Sequence, residues 1–524
     1  MERAVQENYD VAIVGYGPTG MAAASLLGRL GHSVIVIERW PGLYGLPRLT
    51  HIDDETARTI QAASNVREAL RDSSPTEYLW VNGKEETLLF IPAMEGEMGY
   101  PTHISMYQPD IETAIDRRLH EYPNVSIRQG WALAGIDQDA DGVNLTVGPW
   151  DGSAIAPSGR ETVRAKYVVA ADGSKSLVRE LLGVTRDDLG FNERWVNVDT
   201  EWKGTPDPAF GLTKQFCDPA RGHMFMAIGT KRLRFEYAVL DTDDPDSTGS
   251  ETEAWQFLRD NHGLTSDDVS IVRRIVYSFE SRIANQWRIG RVFLAGDAAH
   301  TMPPYLGQGA CSGIRDATNL AWKLGLVLTG QSGDELLDSY EVERRPHVET
   351  VARMAIGLGH VANMTDPVQA AERDAAFQAG AVPPPPVLPP VLDGVIRRKP
   401  TSPGAPAVGF PTPQGQLKSE DRQALGDEIL GYGFVLISRT DPRDGLSAAQ
   451  RDVLSAAGAT VLALDGPIVD VDGTYRKFLD RIGAEAAIVR PDFVLFGSAE
   501  NITSIGELVD DLASALHLKV CETR

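Results

Sequence analysis

The N-terminal residues alternate between continuous apolar runs and short polar turns, a pattern typical of parallel strands buried beneath helices. Residues 11–14 (VAIV) are a β-branched run that predicts a buried strand, and residues 33–37 predict a second one. Between them, residues 21–30 are small and apolar and predict a helix. The chain is therefore expected to open with a strand–helix–strand unit of an α/β fold.

Similar patterns continue to about residue 360. Helices are predicted at residues 53–69, 109–122, 313–329 and 336–358, and strands at residues 125–127, 145–147, 167–170 and 291–294. Two further stretches, at about 75–105 and 190–280, are rich in short strand patterns, and the second carries many aromatic residues and a predicted helix at 254–261. We interpret these two stretches as insertions that form a β-rich domain over a ligand pocket.

A proline-rich stretch separates this region from the C-terminal part. Residues 383–390 are mostly proline, which favours extended polyproline geometry. Beyond it, four strand patterns (434–437, 460–464, 487–489 and 493–496) alternate with two helical ones (448–457 and 505–516). The predicted organisation is a main α/β region at residues 1–380, a linker at 381–414 and a small thioredoxin-like α/β domain at 415–524.

Composition narrows the class of protein. The 524 residues are 42% hydrophobic, which suits two or three domains with sizeable cores, and no uncharged apolar run is long enough for a membrane span. The N-terminus lacks the basic and apolar regions of a signal peptide, and the three cysteines are widely spaced, so we expect a cytoplasmic protein. A net charge of −23 predicts a surface that repels nucleic acid and anionic membranes.

The turn after the first strand carries the first candidate chemistry. Gly15, Gly17 and Gly20 form a GxGxxG motif that opens the predicted helix. Such glycines permit a tight turn, the approach of a pyrophosphate to the backbone and close packing of helix on strand. Glu38, at the end of the second strand, is placed to bind a ribose hydroxyl, which favours FAD or NAD over NADP.

Two later motifs repeat the pattern of a strand that ends in a glycine–aspartate corner. Residues 168–179 run from a strand into Asp172-Gly173, and residues 291–304 run from a strand into Gly296-Asp297. Residues 307–316 (GQGACSGIRD) follow. Taken alone, each aspartate is a common turn former. Together and in this order, the three motifs resemble the single-component, class A FAD-dependent aromatic hydroxylases.

Within that class the chain is most similar to 3-(3-hydroxyphenyl)propionate hydroxylases and phenol 2-monooxygenase-like enzymes. The similarity rests on residues 47–55, 307–316 and 489–492. It implies that residues 1–380 are the Rossmann-like FAD-binding catalytic region with an interleaved β-rich substrate domain. Relatives of this kind carry a C-terminal thioredoxin-like domain; the redox cysteines are absent here, so we expect that domain to be structural.

The resemblance implies a set of cofactor contacts by position, and it implies that Asp172 also helps to bind the nicotinamide donor. The residues implied at the FAD pyrophosphate and adenosine ribose are Gly15, Gly17, Pro18, Thr19, Gly20, Glu38 and Arg39. Those implied at the phosphate and ribityl region are Arg48, Gln108, Asp172 and Asp297. Those implied against the isoalloxazine ring are Pro303, Pro304, Gly307, Gly309, Ala310 and Cys311. Many class A enzymes carry Asn at the last of these positions, so we assign Cys311 no chemistry.

The implied reaction hydroxylates a phenolic ring, ortho to an existing hydroxyl, with NADH or NADPH and O₂ through a flavin C4a-hydroperoxide. The absence of a second GxGxxG fits a nicotinamide donor that binds transiently at the FAD domain. The implied partners are a small phenol and O₂, without nucleic acid or membrane, and the resemblance suggests a homodimer.

The group that activates the phenol is left open by the sequence. His51, in a loop that relatives place beside the flavin, is a candidate base or relay, with a packed loop histidine as the alternative. With Pro303 and Pro304 it completes the predicted catalytic residues. Candidates to line the substrate pocket are Gln215, His223, Arg234 and Tyr237. No metal site is predicted, because residues 53–55 (DDE) fit the first turn of a helix better than a ligand set.

Other flavoenzymes of this scaffold remain alternatives. These are a halogenase, a polyprenyl reductase and an epoxidase or tailoring oxygenase of an aromatic polyketide; a non-enzymatic FAD- or isoprenoid-binding escort protein is a third class. The Trp-x-Trp-x-Ile-Pro signature of halogenases is absent from the sequence. Both aspartate motifs argue for an enzyme.

Overall fold

The computed structural model describes residues 8–156, 158–382, 384, 386–397 and 408–519. Part of the predicted linker and Cys521 therefore lie outside the described residues. The elements of the first part are β1 (Asn8–Val14), α1 (Pro18–Arg29), β2 (Val34–Glu38), β3 (His51–Ile52), α2 (Asp54–Ala63), α3 (Val66–Ala69), β4 (Ser73–Pro75), β5 (Tyr78–Asn82), β6 (Thr87–Ile91), β7 (Ile104–Met106), α4 (Gln108–Glu121), β8 (Val125–Gln129), β9 (Trp131–Gln138), β10 (Val143–Pro149), β11 (Glu161–Ala170) and α5 (Leu177–Leu181).

The second part begins with long strands and ends in the small C-terminal unit. Its elements are β12 (Arg186–Trp202), β13 (Thr213–Cys217), β14 (His223–Ile228), β15 (Arg232–Ala238), α6 (Glu251–His262), β16 (Val269–Ala284), β17 (Arg288–Ile289), β18 (Val292–Leu294), β19 (His300–Thr301), α7 (Gly309–Leu328), α8 (Ser339–Ala362), α9 (Pro367–Gln378), β20 (Gln416–Lys418), β21 (Gln423–Leu425), α10 (Gly426–Leu430), β22 (Val435–Ser438), α11 (Ala448–Ala456), β23 (Thr460–Ala463), β24 (Val469–Asp470), α12 (Thr474–Arg481), β25 (Ala486–Val489), β26 (Leu495–Ala499) and α13 (Ile505–Ala515).

The first sheet is the predicted nucleotide-binding layer. Its strand order is β17-β18-β11-β1-β2-β8, with β10 and β9 continuing from β11. Neighbours from β18 to β8 are parallel, and their side chains, such as Ile13, Val36 and Val169, are fully buried. Continuous burial explains the unbroken apolar runs in the sequence, since helices cover a parallel sheet on both faces.

The second sheet has eight strands in the order β19-β16-β12-β15-β14-β13-β5-β6. Strands β5 and β6 come from the first β-rich stretch and β12 to β16 from the second, so the two stretches build one sheet. Helix α6 lies on its outer face, where Phe257 and Leu258 pack with Phe225 and Phe235. On the opposite, inner face Arg234 donates to the carbonyls of Pro47 and Arg48, so this face lies against the 47–48 loop.

The C-terminal unit contains a four-stranded sheet in the order β23-β22-β25-β26. Strand β22 is parallel to β23 and antiparallel to β25, and β26 is antiparallel to β25. This βαβ–ββα arrangement confirms the predicted thioredoxin-like fold. The described part of the linker does pack: Val391 and Val395 are buried, and the Arg397 guanidinium binds Asp511 at 2.7 Å.

A buried ion cluster joins this unit to the catalytic region. Arg490 of the C-terminal unit donates to Glu343 of α8 at 2.6 Å and to Asp492 at 2.5 Å. Lys323 of α7 lies 2.9 Å from Glu343, and Asn319 of α7 donates to Asp492 at 2.8 Å. Burial alone would raise the pKa of Glu343, but Arg490 and Lys323 hold it at about 2. The 489–492 motif therefore fixes the C-terminal unit to helices α7 and α8.

Within the described ranges, no helix is both long enough and apolar enough to cross a membrane. In the same part of the chain, no group of three or more His, Cys, Asp or Glu side chains is arranged to hold a metal ion. Asp53 instead caps α2 by accepting a hydrogen bond from the Thr56 amide at 2.8 Å, as the sequence predicts for a first helical turn.

Candidate active site

Three motifs that are far apart in sequence meet at one edge of the first sheet. In the parallel register Val14, the last residue of β1, pairs with Ala170, and Ala170 pairs with Leu294. The Ala171 amide donates to the Val14 carbonyl at 2.8 Å, and the Ala295 amide donates to the Ala170 carbonyl at 2.9 Å. The glycine turn and the two aspartate corners therefore begin side by side.

The glycines are required by close approach. Gly15 has φ +104°, and a Cβ there would lie 2.9 Å from the Asp172 amide nitrogen. Thr19 packs against the Gly296 corner, since a Cβ on Gly296 would lie 2.6 Å from its Oγ1. A Cβ on Gly17, in contrast, would have no atom within 4 Å. The space beside Gly17 is a cradle of the kind that a pyrophosphate needs.

Helix α1 begins at this cradle. Gly17 is its N-cap and Pro18 its first residue, and no side chain caps it. The first amides of the helix therefore point into the open space with the positive end of the helix dipole. Gly20 packs this helix onto β1 beside Ile13.

Glu38 closes the far side of the same groove. Its carboxylate accepts hydrogen bonds from the amides of Tyr16 at 2.8 Å and Trp40 at 2.9 Å. These bonds fix the half-buried acid against the glycine turn, where a ribose hydroxyl would be bound. The adjacent Arg39 is exposed, with its guanidinium 5.5 Å from the Trp40 ring, so it lies at the rim of the groove.

The two corner aspartates differ in their surroundings. Asp172 caps the segment after its own strand, accepting from the Ser176 hydroxyl at 2.5 Å and the Val178 amide at 3.2 Å. Asp297 makes no side-chain hydrogen bond within the described residues, and its side chain is exposed to solvent. Partial desolvation by the surrounding residues raises the pKa of the Asp297 carboxyl, while His300 and Arg48 lower it. Asp297 is therefore an unpartnered acceptor at the floor of the groove.

Arg48 and Gln108 lie on the opposite wall. The Gln108 side-chain oxygen accepts from the amides of Arg48 at 2.8 Å and Leu49 at 2.7 Å, so it orders the loop that carries Arg48. The Arg48 guanidinium stacks on the Tyr44 ring at 4.0 Å and is exposed to the groove. Gln108 is buried, so its direct role in the structure is to position the loop.

Residues 303–311 form the fourth wall. Pro303 is buried and Pro304 begins a 3₁₀ turn that ends at Gly307, and α7 starts at Gly309, earlier than the predicted residue 313. No side chain caps α7, so the amides near Gly309 and Ala310 are free to face a negative group. Cys311 is buried, which raises the pKa of its thiol to about 12 and suits the absence of an assigned chemistry.

A buried ion pair ties this wall to the His51 segment. Arg315 of α7 binds Asp53, and it binds Glu55 at 2.6 Å. Gln308 donates to Asp53 at 3.0 Å. The contact fixes the start of α7 relative to β3 and α2, and therefore fixes His51 beside Gly307.

His51 is part of a cluster of three rings. Its Nε2 lies 3.1 Å from Nδ1 of His103, and the Tyr78 ring is 6.0 Å away. The other nitrogen, Nδ1, faces Gly307, where a Cβ would approach to 2.5 Å. Burial and the neighbouring His103 lower the pKa of His51 to about 4. His51 is therefore a neutral imidazole at neutral pH, with one nitrogen directed at the 303–311 wall.

The structure does not bring all four predicted pocket residues to this site. His223 and Tyr237 lie on the outer face of the second sheet, where His223 stacks on Phe216 at 4.2 Å and Tyr237 stacks on Phe257 at 4.3 Å. Helix α6 covers both, so neither belongs to the pocket. Gln215 does lie on the inner face, although its amide donates to the His223 carbonyl at 3.2 Å.

Arg234 lies on the inner face in a different role from the predicted one. It binds Asp199 at 2.7 Å and donates to the carbonyls of Arg48 and Pro47, each at 2.7 Å. Its bonds are taken up by the 47–48 loop, so Arg234 is a positioning residue for Arg48 rather than a substrate contact.

Several site residues escaped the sequence reasoning. Arg179 donates to the Ala298 carbonyl at 2.8 Å and so connects the two aspartate corners. His103, Asp199 and Arg315 contribute as described above. Two of them had a local sequence signal, since Arg179 and Arg315 lie inside motifs that the resemblance had matched. His103, just before β7, and Asp199, on β12, lie outside any motif.

Comparison with known proteins agrees with this geometry. The family described as "FAD binding domain" (FAD_binding_3) matches residues 8–355, and the family described as "HcaD C-terminal domain" matches residues 409–515. The first match includes the glycine turn, both aspartate corners and residues 303–311.

Two named proteins are similar to this chain over nearly their whole length. A "Probable NADH-specific resorcinol 4-hydroxylase" of Rhodococcus jostii (strain RHA1) is 39% identical, covering 97% of this chain and 95% of that protein. A "3-(3-hydroxy-phenyl)propionate/3-hydroxycinnamic acid hydroxylase" of Mycolicibacterium smegmatis (strain ATCC 700084 / mc(2)155) is 33% identical, covering 97% and 94%.

Among solved structures, the flavin-dependent monooxygenase PieE, in complex with FAD and substrate, superimposes with a TM-score of 0.80 at 22% identity, covering 98% of this chain and all of that one. Aklavinone-11 hydroxylase, in a ternary complex with FAD and aklavinone, gives 0.77 at 24% identity, covering 98% and 99%. At these identities the comparison establishes the shared fold.

Proposed function

The chain belongs to the FAD binding domain family, and from that premise we propose that it is an FAD-dependent monooxygenase that hydroxylates a phenolic ring with NADH or NADPH and O₂. The observation that carries the proposal is the convergence of the glycine turn, Asp172 and Asp297 at one sheet edge, beneath a separate β-rich roof. Both relatives named above are hydroxylases of phenolic compounds by name.

The residues present fit FAD. The open space at Gly17 suits the pyrophosphate, Glu38 the adenosine ribose, and the unpartnered Asp297 carboxylate a ribityl hydroxyl. The uncapped start of α7, at Gly309, suits a ring that gains negative charge. When bound, FAD supplies hydride acceptance from the nicotinamide and activation of O₂; the protein contributes binding, orientation and exclusion of water.

We propose that His51 accepts the proton of the phenol hydroxyl. In the tautomer that donates from Nε2 to His103, the Nδ1 of His51 is an acceptor that faces the 303–311 wall. A proton taken at Nδ1 can be passed on through Nε2 to the half-buried His103. A phenol has an unperturbed pKa of about 10, so a positioned acceptor increases the reactive phenolate near neutral pH. Pro303 and Pro304 shape the wall beside it.

The proposal is tested with purified protein, FAD, a panel of phenols and each nicotinamide in turn. We expect a yellow protein whose NADH or NADPH oxidation accelerates with a subset of phenols, giving a hydroxylated product and little H₂O₂. A colourless protein that does not take up FAD contradicts the proposal, and so does a flavoprotein that no phenol stimulates.

Asp297→Ala is expected to weaken FAD binding while leaving the fold intact. A carboxylate that hydrogen-bonds a ligand contributes about 1.5–3 kcal/mol, so the Kd for FAD should rise about 10- to 100-fold. Flavin fluorescence titration measures this change. Asp246→Ala, in an exposed loop, is the matched control and should bind FAD as the parent does. Equal affinity in the two variants would leave Asp297 as a turn former only.

His51→Ala is expected to lower the rate of hydroxylation at neutral pH by about 10²-fold with full flavin content. Without the acceptor, the phenol must ionise unaided, so the rate of the variant should recover as the pH rises towards about 10. A rate–pH profile measures this, with the exposed His120→Ala variant as control. A uniform loss at every pH would support the packing alternative.

The same proposal includes the finer properties that the resemblance implies. We propose a cytoplasmic homodimer that acts on a small phenol without nucleic acid or a membrane. The net charge of −23 supports the last two points, because such a surface repels polyanions. Light scattering of the purified protein tests the dimer.

A further inference from the structure

The inner face of the second sheet carries three rows of side chains, defined by the strand register. The row nearest the 47–51 segment contains Arg234, Asp199 and Arg273. The next, which we call the middle row, contains Trp80, Gln215, Met224, Glu236, Asn197 and Ile275. The third contains Trp195 and Tyr277.

The middle row lies between two loop segments. The first row contacts the 47–51 segment through Arg234, which donates to the Pro47 carbonyl. The third row contacts the 303–307 segment, since the rings of Trp195 and Tyr305 are 6.4 Å apart and both side chains donate to Glu193. The resemblance places both segments beside the flavin, so we take the row between them to face the substrate.

The two buried arginines of the first row use their hydrogen-bond donors within the protein. Asp199 accepts from Arg234 at 2.7 Å and from Arg273 at 2.8 Å. The remaining nitrogens donate to the 44–48 segment: both side chains donate to the Pro47 carbonyl, at 2.7 and 2.6 Å, and Arg273 Nη1 donates to the Tyr44 hydroxyl at 3.3 Å. Both cations are therefore committed to the loop and to Asp199.

The middle row carries acceptors and no cation. Glu236 is buried and accepts from the Asn197 amide at 2.9 Å, while the nearest cation, Arg234 Nε, is 3.8 Å away. The Asn197 Oδ1 is buried without a hydrogen-bond partner in the described part of the chain. Burial raises the pKa of Glu236 to about 7. The rest of the row is apolar apart from Gln215, so this pair is its polar centre.

We propose that Glu236 and Asn197 receive a second hydroxyl of a neutral, dihydroxylated aromatic substrate, and that this row disfavours phenols that carry a carboxylate. The unpartnered Asn197 oxygen requires an O–H donor, and the ionised form of Glu236 accepts a hydrogen bond and repels a second carboxylate. The inference rests on the proposed function, because it takes the middle row to face a phenol held at the flavin.

The test uses the FAD-loaded full-length protein and measures binding without turnover, from the change that each ligand causes in the flavin absorbance spectrum. The probes are resorcinol, phenol and 3-(3-hydroxyphenyl)propionate at pH 7. We expect resorcinol to bind at least about 10-fold more tightly than the propionate. Glu236→Gln should weaken resorcinol binding about 10-fold and leave phenol binding unchanged.

Two controls separate this effect from misfolding. Glu280→Gln, on β16 outside the middle row, should bind all three probes as the parent does. Asn197→Leu removes the unpartnered oxygen by a different substitution and should also weaken resorcinol selectively. Tighter binding of the propionate, or unchanged resorcinol binding in both middle-row variants, overturns the inference. Failure of every phenol to stimulate nicotinamide oxidation overturns the proposed function instead, and this is a separate measurement.

Discussion

Gly17→Val yields a folded but colourless protein, with FAD affinity reduced at least about 100-fold, or on the order of 3 kcal/mol. The reason is the open space beside this glycine at the start of α1. A Cβ on Gly17 would have no protein atom within 4 Å, so the protein itself accommodates the new side chain. The added methyl groups would instead occupy the cradle at the start of α1, where the pyrophosphate must approach the backbone.

The measurement is the ratio of flavin absorbance to protein absorbance after purification, followed by titration with added FAD. Gly204→Val is a matched control, because a Cβ there also has no neighbour within 4 Å and the residue lies outside the groove. It should purify yellow. If Gly17→Val retains full flavin while its circular dichroism is normal, the cofactor does not pass this turn and our placement is wrong.

Arg490→Met is expected to cause the largest loss of stability. Arg490 and Lys323 balance Glu343 and Asp492 in a cluster whose side chains are 0–6% exposed. Removing one cation leaves a buried carboxylate without full compensation, which costs about 3–5 kcal/mol. Unfolding in guanidinium chloride measures the loss of stability. We expect the contact between the C-terminal unit and helices α7 and α8 to break first.

The control is Arg443→Met, which removes an arginine from an exposed pair with Asp441. Pairs of this kind contribute little in water, so its unfolding curve should match that of the parent. Because α7 also forms the wall at Gly309, we expect Arg490→Met to bind FAD more weakly as well. Unchanged stability of this variant would mean that water compensates the remaining charges of the cluster, and that the cluster does not join the two units.

Local patterns were sufficient for the nucleotide-binding layer. The β-branched runs, the glycine spacing and the acid at the end of β2 predict both the strands and their corners. The family resemblance indicated that the three corners belong to one cofactor site. Boundaries were less accurate. The predicted helix at 53–69 is two helices, α2 and α3, because the chain turns at Ser64. Helix α9 (Pro367–Gln378) was missed altogether.

The predicted pocket shows where local information ends. Alternation along β15 requires Arg234 and Tyr237 to lie on opposite faces, so the sequence excluded a pocket that contains both. The sequence of β15 does not indicate which of its faces is the inner one, because both faces carry large side chains. The tertiary structure shows that the face with Tyr237 is the outer one, because helix α6 covers it. Arg234, on the inner face, is held by Asp199 and contacts the 47–48 loop.

The sequence by itself determined the strands, the three corners and the residue types that a flavin nucleotide needs, since these depend on neighbours within a few positions. Only the tertiary structure decided the pairing of His51 with His103, the hydrogen bond from Asn197 to Glu236, and the ion pair of Arg490 with Glu343. Each of these joins side chains that are 39 to 147 positions apart. Such contacts depend on how whole sheets and helices pack, and no local pattern encodes that packing.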